Sequence, residues 1–407
     1  MKMTSRSEYF NLMMYVSKWL IISAGIAAFS GTASAFLLIA LEWATNSHLQ
    51  HTWLIWFLPL AGFAVGWIYL HFGEHIERGN NLLIDEIHDP KKIIPFRMAP
   101  FIFFGNVISI LFGASVGREG TAVQMGGSLA DQICHLFKLT PESRRIVLMA
   151  GISAGFASVF GTPLAGAIFG LEVLIIGKLR YDAIFPCFSA AIIADQISTL
   201  WGIEHTHYII SIIPPISIWS LLMTLIAGAI FGLVARIFSN SSHILNAWIK
   251  QKISYAPLRP FIGGVVIILL TYLIGSDRYI GLGISTIVES FNQPIPGYDF
   301  LGKMIMTLTS LSSGFKGGEV TPLFYIGSTL GNALAPVLNL PFGMLAGIGF
   351  VAVFAGAANT PIASAIMAIE LFGAEIGVYA FIACVISYLF SGTSGIYKSQ
   401  RSDSSKH

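Results

Sequence analysis

The sequence predicts an all-α polytopic membrane protein that is built from two related halves. Of its 407 residues, 55% are hydrophobic and only 11% are charged, whereas a soluble globular protein carries about 25% charged residues. Mean hydropathy is +0.73. A single soluble domain cannot hide this much apolar surface, but a lipid bilayer can, because its acyl chains are as apolar as leucine.

Charge and cysteine content exclude several classes of protein. A formal net charge of +2 gives no basic surface for a nucleic-acid partner. The three cysteines, Cys134, Cys187 and Cys384, lie far apart and lack a CxxC spacing. They therefore predict neither a disulfide framework nor a zinc site, and we expect no metal ion or cofactor.

The apolar segments predict the membrane helices. Crossing a hydrocarbon core of about 30 Å takes about 20 helical residues. The longer candidate segments are 20–41, 53–72, 98–116, 185–201, 209–235, 260–275 and 376–392. Shorter apolar pieces, separated by Gly or Pro, are 121–136, 146–159, 162–177, 302–313, 321–338, 341–357 and 360–373. Short interrupted segments in both halves are typical of transporters with broken helices, whose breaks line a cavity or pack against protein.

An internal repeat defines the two halves. Residues 154–172 and 352–370, offset by 198, share nine identities in nineteen positions, including Thr-Pro and a later Glu. A second block, offset by 200, matches Glu119 and Thr121 with Glu319 and Thr321. The polar stretch between the halves is rich in Lys and Arg, which favours the cytoplasmic side. The predicted division is a first half at 1–235, a linker at 236–259, a second half at 260–397 and a polar, disordered tail at 398–407.

The loop Gly117-Arg118-Glu119-Gly120-Thr121 is the strongest candidate for a functional site. A carboxylate between apolar segments costs about 2.5–3.5 kcal/mol or more, so it usually faces a water-filled path or a charged partner. The predicted helix that follows directs its N–H groups and positive dipole end at this loop, where an anion can bind. Glu119 would act there as a mimic of the anion, and its protonation would open the path. The alternative is a structural ion pair between Glu119 and Arg118.

Two further polar elements accompany this loop. Gly317-Gly318-Glu319-Val320-Thr321-Pro322 again combines glycines, a Glu and a helix start, with the proline in the first helical turn. Thr321 is equally suited to capping that helix and to contacting an ion. Arg78-Gly79-Asn80-Asn81-Leu82 offers uncharged amide donors, or asparagines in turn conformations.

These elements together resemble the CLC family of chloride channels and chloride/proton antiporters. Residues 117–120 look like its GREGP signature, with Thr121 in place of the proline, and 318–322 look like its GxFxP element. Gly79-Asn80-Asn81 falls where the family carries GSGIP, and Gly395-Ile396-Tyr397 resembles the segment that supplies a pore tyrosine. The four elements occur in the family's order, and the resemblance covers about residues 15–400.

The resemblance implies an inverted repeat, a homodimer with one pore per subunit and Glu119 as the gating glutamate. It places Asn80, Val320 and Tyr397 at the family's anion site. Asn80 replaces the usual serine, Glu319 is acidic, and Val173 stands where chloride/proton antiporters carry an internal proton glutamate. These departures resemble the bacterial fluoride/proton antiporter branch, which implies a location in the bacterial plasma membrane.

Fluoride transport would draw on particular side chains of this chain. Fluoride is small and strongly hydrated, so it needs firm hydrogen-bond donors in place of lost water, such as Asn80, Thr321 and Tyr397. Glu119 and Glu319 would carry the proton. Tyr325 is the candidate for an aromatic group beside the ion, although Leu83 does not fit the second aromatic position of that branch. The predicted anion site is completed by Gly79, Arg118, Gly120 and Val320.

Two alternatives accompany this hypothesis. A chloride channel or a chloride/proton antiporter would have the same fold and a similar glutamate. An intramembrane serine hydrolase is the more distant alternative, because GxSxG occurs around Ser115 and around Ser153. That motif requires a strand-to-helix elbow and a His partner, whereas both serines lie in helical membrane patterns. We therefore expect a transporter and not an enzyme.

Overall fold

The structure is predominantly α-helical. It is a computed structural model that describes residues 2–74, 76–402 and 406, with side chains from residue 8 onwards. Within these residues there are sixteen α-helices, and two two-residue strands, Ile175–Ile176 and Arg401–Ser402, pair in parallel. Five helical stretches of the described chain are long and apolar enough to cross a bilayer, and several shorter apolar helices accompany them. The predicted all-α polytopic membrane fold is confirmed.

Eight helices belong to the first part of the chain and eight to the second. The first eight are α1 (Lys2–Gln50), α2 (Leu58–Phe72), α3 (Asn80–His88), α4 (Met98–Leu111), α5 (Glu119–Leu136), α6 (Pro141–Phe160), α7 (Pro163–Glu172) and α8 (Ile184–Leu200). The others are α9 (Ile218–Lys252), α10 (Leu258–Ile274), α11 (Ile284–Asn292), α12 (Asp299–Ser313), α13 (Val320–Leu338), α14 (Phe342–Ala358), α15 (Pro361–Phe372) and α16 (Gly377–Phe390). Single 3₁₀ turns lie at Thr52–Phe57, Ile76–Arg78, Tyr181–Ala183 and Ala374–Ile376.

The start of α9 corrects one predicted span. Residues 209–217 of the predicted segment 209–235 are not helical, and the helix begins at Ile218. Pro214 and Pro215 lie in this stretch, and neither has an N–H to give to a helix. Ser217 then caps the helix through a reciprocal capping box with Ser220.

The stretch between the two proposed halves is largely helical. Helix α9 runs without a break from Ile218 to Lys252, so only residues 253–257 of the predicted linker 236–259 connect it to α10. Most of the basic residues of this stretch therefore belong to the C-terminal part of α9. The division at 235 and 260 remains a proposal about sequence halves.

Two glycine loops join the halves through backbone hydrogen bonds. The N–H of Gly117 donates to Gly318 O at 2.6 Å, and the N–H of Gly318 donates to Gly117 O at 2.9 Å. We call this the Gly117–Gly318 bridge. A matching pair of bonds flanks it, in which Ser310 Oγ accepts from Ser115 N at 3.0 Å and Ser109 Oγ accepts from Lys316 N at 3.1 Å. Each contact has its counterpart with the halves exchanged, which is the signature of an approximate two-fold axis.

Glu172 and Glu370 form a second reciprocal pair of contacts. The carboxylate of Glu172, at the end of α7, accepts from Ile362 N and Ala363 N at the start of α15, at 3.0 and 2.8 Å. The carboxylate of Glu370 in α15 accepts from Leu164 N and Ala165 N at the start of α7, at 2.8 and 2.7 Å. Each glutamate thus satisfies N–H groups that the first turn of a helix leaves free. Both carboxylates thus join α7 and α15.

The structure corrects the register of one repeat block. Helices α5 and α13 begin at Glu119 and Val320, and the bridge pairs Gly117 with Gly318, so equivalent positions here are 201 residues apart. Gly126 in α5 and Gly327 in α13 pack in equivalent ways against the carbonyls of Gly151 and Gly349. The offset of 200 that matched Glu119 with Glu319 is therefore wrong by one residue. The structural counterpart of Glu119 is Val320, and that of Glu319 is Arg118.

The C-terminal residues are ordered as far as they are described. Ser399 N donates to Asn81 Oδ1 at 2.9 Å, and Gln400 Nε2 donates to the carbonyls of Val173 and Ala358. The strand Arg401–Ser402 then pairs with Ile175–Ile176. The expectation of a disordered tail at 398–407 is thus wrong for residues 398–402, whereas 403–405 and 407 lie outside the described residues.

We predict that Gly318→Ala destabilises the protein by about 1–3 kcal/mol, the usual cost of overpacking. A Cβ at residue 318 would lie 2.7 Å from Gly120 N and 3.0 Å from Gly120 Cα, and backbone atoms cannot move aside as a flexible side chain can. Thermal unfolding in detergent, followed by tryptophan fluorescence, measures the change. The matched control is Gly25→Ala, whose Cβ would meet only Ile133 Cδ1, at 3.8 Å. Equal stability of the two variants would contradict the close contact.

Candidate functional site

The site lies where the two glycine loops and two helix N-termini meet. Helix α5 begins at Glu119, two residues after Gly117, and helix α13 begins at Val320, two residues after Gly318. Because the bridge joins the two glycines, both helix starts lie next to it. The free N–H groups and the positive dipole end of each helix are therefore directed at the same small region. This arrangement favours a negatively charged group.

The carboxylate of Glu119 occupies the N-terminus of α13. Its Oε2 accepts hydrogen bonds from Thr321 N at 3.0 Å, from the Thr321 hydroxyl at 2.5 Å and from Arg118 N at 3.2 Å. The side chain comes from one half and its donors come mainly from the other. A Cβ on Gly117 would lie 3.0 Å from this oxygen and 2.9 Å from the Thr321 hydroxyl, so glycine at 117 makes room for the carboxylate. Glu119 itself is only 1% exposed.

The Arg118 side chain forms an ion pair with Glu119 but no hydrogen bond. Its Nε lies 3.5 Å from Glu119 Oε1, and neither atom has a hydrogen-bond partner among the described residues. The strong bonds to the carboxylate come instead from Thr321. The ion pair with Arg118 is therefore present, and the carboxylate is held in addition by the Thr321 donors of the other half.

One cavity opens on the α13 side of the bridge, and we call it the Glu319 cavity. Its volume is about 460 Å³. Four of the predicted site residues line it, namely Gly79, Asn80, Glu319 and Tyr397. Its wall also carries the basic residues Arg78, Lys250, Arg259, Lys316 and Lys398.

A second cavity opens on the side of Arg118, and we call it the Arg118 cavity. Its volume is about 810 Å³. It is lined by Arg118 and Arg278 together with four carboxylates, Glu42, Glu204, Asp277 and Glu289. Arg118 is adjacent to Gly117 and Glu319 is adjacent to Gly318, so the bridge and the Glu119 carboxylate lie between the two cavities.

Asn80 and Tyr397 are held at the Glu319 cavity by distant parts of the chain. The Asn80 amide approaches helix α5, since a Cβ on Gly120 would lie 3.3 Å from Asn80 Nδ2. Tyr397 follows Ile396, whose N–H donates to Ala357 O at 2.8 Å, and the preceding Gly395 O contacts His243 Nε2 at 2.7 Å. The structure therefore brings together residues that are more than 300 positions apart.

Of two further predicted residues, Val320 lies at this meeting point and Tyr325 lies away from it. Val320 is buried at the first position of α13 and contributes to the helix start. The Tyr325 ring lies one turn further along α13, under Gly283 and 5.2 Å from the amine of Lys303. No described contact brings it to Glu119. Leu83, in place of the second aromatic residue, packs against Gly127 instead.

Sequence reasoning missed three residues around the site. Asn106 is fully buried in α4, and its amide donates to Gly117 O at 3.0 Å and to Lys316 O at 3.3 Å, so it holds both glycine loops. Lys316 lies over the Tyr69 ring at 3.9 Å and lines the Glu319 cavity. Gln124 lines the same cavity. A polar residue in an apolar helix is itself a signal of function, and Asn106 and Gln124 both carried it.

The two GxSxG serines have structural partners. The Ser115 hydroxyl contacts the Thr307 hydroxyl at 2.8 Å, and the Ser153 hydroxyl donates to Ala167 O at 3.3 Å. Neither is hydrogen-bonded to a histidine among the described residues. Among the described residues, both therefore lack the base that a hydrolase nucleophile requires.

Comparison with known proteins agrees with this geometry. Residues 61–392 match the family model described as voltage gated chloride channel. The chain is 59% identical over 408 aligned residues, covering 99% of this chain and 90% of the relative, to a chloride/fluoride channel protein of Pseudomonas syringae pv. tomato. It is 25% identical to the H(+)/Cl(−) exchange transporter ClcA of Vibrio vulnificus, over 86% of this chain and 81% of that protein.

Solved structures give the same result. The crystal structure of a CLC-type fluoride/proton antiporter superimposes with a TM-score of 0.93 and 35% identity, over 97% of this chain and 99% of that one. A slow cyanobacterial Cl−/H+ antiporter shares the fold, with a TM-score of 0.81, 21% identity and coverage of 93% and 96%. The family model matches most of the chain, and one relative is highly identical to it. These two findings assign the chain to a family. The chain belongs to the CLC family of voltage gated chloride channels and related antiporters, membrane transport proteins and not enzymes, and it has that family's inverted-repeat fold.

Proposed function

We propose that the chain is a fluoride/proton antiporter that exports fluoride from the bacterial cytoplasm. The observation that carries the proposal is the position of the Glu119 carboxylate at the N-terminus of α13. There it accepts the hydrogen bonds that a transported anion would otherwise accept. A carboxylate and a fluoride ion both carry one negative charge and both accept hydrogen bonds. Glu119 is therefore a tethered competitor of the anion.

Proton coupling follows from this competition. When Glu119 is protonated it loses its charge, and the N–H groups and helix dipole of α13 then hold it less firmly. The anion can take its place while Glu119 carries the proton away. Glu319 lies on the opposite side of the bridge and lines the cavity that also contains Asn80 and Tyr397. It is placed to receive the proton or to steady the displaced side chain.

Fluoride as the substrate is supported by the donors that the chain presents. Hydrogen bonds to a charged partner contribute about 1.5–3 kcal/mol each, and fluoride needs several of them to replace its hydration shell. The Asn80 amide, the Thr321 hydroxyl, the Tyr397 hydroxyl and the backbone N–H of Gly120 supply such donors at this site. The Gly79 N–H donates to Ile76 O at 3.2 Å, so Gly79 contributes space and not a donor. The solved structure that is 35% identical to this chain is that of a CLC-type fluoride/proton antiporter. Val320 and Arg118 complete the proposed site. Tyr325 also belongs to the proposal, although its ring lies further along α13 and does not contact Glu119.

The charge around the two cavities supports the direction of export. Five basic and two acidic side chains line the Glu319 cavity, whereas two arginines and four carboxylates line the Arg118 cavity. Basic residues concentrate on the cytoplasmic side of membrane proteins, which favours a cytoplasmic orientation of the Glu319 cavity. A basic cavity raises the local concentration of anions. Fluoride would therefore enter from the cytoplasm and protons from outside.

We also propose a homodimer with one pore per subunit, as the family resemblance implies. Helices α8 and α16 each expose apolar side chains, including Ile192, Val378 and Phe381, which a second copy could cover. Photobleaching of singly labelled protein in liposomes counts the subunits, and we expect two steps per assembly. A single step in nearly all particles would overturn the dimer.

We predict that the wild-type protein transports fluoride and excludes chloride. Chloride is larger and accepts weaker hydrogen bonds, so it gains less from the same fixed donors. Efflux from proteoliposomes, measured with ion-selective electrodes for each halide under matched gradients, tests the prediction. Comparable chloride efflux would remove the fluoride assignment and favour the chloride-transporting alternatives.

We predict that Glu119→Gln retains fluoride flux at the same or a lower rate, and that its fluoride-driven proton movement falls to background. The amide keeps the size of the side chain but cannot carry a proton at neutral pH. An internal pH indicator and a fluoride electrode read the two fluxes in the same liposomes. Glu375→Gln, on an exposed turn, is the matched control and should keep both fluxes. Intact proton coupling in Glu119→Gln would contradict the mechanism, and absence of proton coupling in the wild type would favour a channel.

A further inference from the structure

We propose that Gln124 is an anion-binding residue, whose side-chain amide acts together with Asn80 in the Glu319 cavity. This inference rests on the proposed transport of a small anion and adds a specificity-determining residue to it. It concerns a residue one helical turn inside the loop that carries Glu119.

The position of Gln124 places its amide in the ion path. Residues 120 and 124 are one turn apart on α5 and so lie on one face of the helix. The Asn80 amide approaches this face at Gly120, and Gln124 lines the same cavity as Asn80, Glu319 and Tyr397. Gln124 is 7% exposed. Its side chain is thus enclosed by protein and accessible only from the cavity.

The backbone at Gly79 packs closely against the Gln124 amide. A Cβ on Gly79 would lie 3.2 Å from Gln124 Nε2 and 3.3 Å from both Cδ and Oε1. Gly79 also has a φ of +56°, a conformation that glycine adopts without strain. Absence of a side chain at residue 79 therefore lets the loop before α3 lie directly on the amide. The neighbouring Asn80 is brought to the same place.

A comparison within α5 separates a binding role from a structural one. Gln132 lies two turns after Gln124 on the same helix, and its Nε2 donates to Ile94 O at 2.7 Å and to Ser128 O at 3.4 Å. Among the described residues, no hydrogen bond of this kind engages the Gln124 amide. The Asn80 side chain likewise has no hydrogen-bond partner in the described chain; its buried Oδ1 is an acceptor, and its Nδ2 group is the part that can donate to an anion. Two amides that face one cavity without protein partners are suited to a ligand.

The chemistry of an amide suits a small anion that must be released again. Each amide offers two N–H donors without a formal charge. Two amides and the Tyr397 hydroxyl can therefore replace several water molecules around the ion, and they do not trap it as a fixed ion pair would. The lysines and arginines of the Glu319 cavity attract the anion electrostatically. The amides then select the ion that accepts the strongest hydrogen bonds.

Gln124→Met is the direct test, because methionine has a similar length and volume but no N–H donor. Fluoride affinity of the purified protein is measured by isothermal titration, and fluoride and proton fluxes are measured in proteoliposomes. We expect the dissociation constant and the KM for fluoride to rise about tenfold, the effect of losing one hydrogen bond to an anion. The proton-to-fluoride ratio should stay unchanged, because Glu119 and Glu319 are intact.

Gln132→Met is the matched control, and it should leave fluoride affinity unchanged even if it lowers thermal stability. Gln124→Glu is a second variant of the same size. It should bind fluoride more weakly still at neutral pH and regain affinity on acidification, because the introduced carboxyl then becomes a donor. A structural role of Gln124 predicts no such pH dependence.

Wild-type fluoride affinity in folded Gln124→Met or in Gln124→Glu at neutral pH would overturn the assignment. A changed proton-to-fluoride ratio at unchanged affinity would overturn it too. Failure of the proposed function is distinguishable, since it shows in the wild type as chloride flux comparable to fluoride flux. The same variants are then titrated with chloride, and unchanged affinity for that ion would again exclude Gln124 from the site.

Discussion

The pair of backbone hydrogen bonds between Gly117 and Gly318 positions every other group of the site. Because the bridge joins the loops that precede α5 and α13, it brings two helix N-termini together at one point. Glu119 can then reach the donors of Thr321 across the boundary between the halves. Both glycines are required sterically, since a side chain at either position would meet backbone atoms of the opposite loop within 3.0 Å.

The surrounding helices hold this arrangement by close backbone contact. Helix α13 packs on α14 so closely that a Cβ on Gly327 would lie 2.0 Å from Gly349 O, and α5 packs on α6 in the same manner through Gly126 and Gly151. Small residues allow such approach in membranes, where van der Waals packing has to replace the hydrophobic effect between helices. A scaffold packed in this way resists movement of its helices. Rotation of the Glu119 side chain is therefore the motion that disturbs it least.

The sequence was sufficient for the fold class, and it indicated most of the residues that the structure brings together at the candidate site, because the relevant signals are local. An acid between apolar segments, glycines beside it and a proline in the next helical turn all identify helix starts in the membrane. The repeat register at Glu319 was wrong because a one-residue shift also matches Glu, Thr, Gly and Ser, and only paired contacts resolve it. Neither the Glu119–Thr321 bond nor the contact of the Gln124 amide with Gly79 was predictable, since they depend on which loops meet. Residues 209–217 were misassigned because hydropathy alone ignores two adjacent prolines.

The reciprocal contacts have a consequence for the ancestry of the molecule. The backbone pairs at 117 and 318, and the carboxylates of Glu172 and Glu370, serve both halves alike, so they preserve what a duplicated ancestor would have contained. The acid at 119 has a valine as its structural counterpart at 320. The backbone scaffold is thus nearly the same when it is viewed from either side of the membrane. The difference between the two sides of the membrane therefore depends on a few side chains. Substitution of those side chains alone could give a symmetric scaffold a direction of transport.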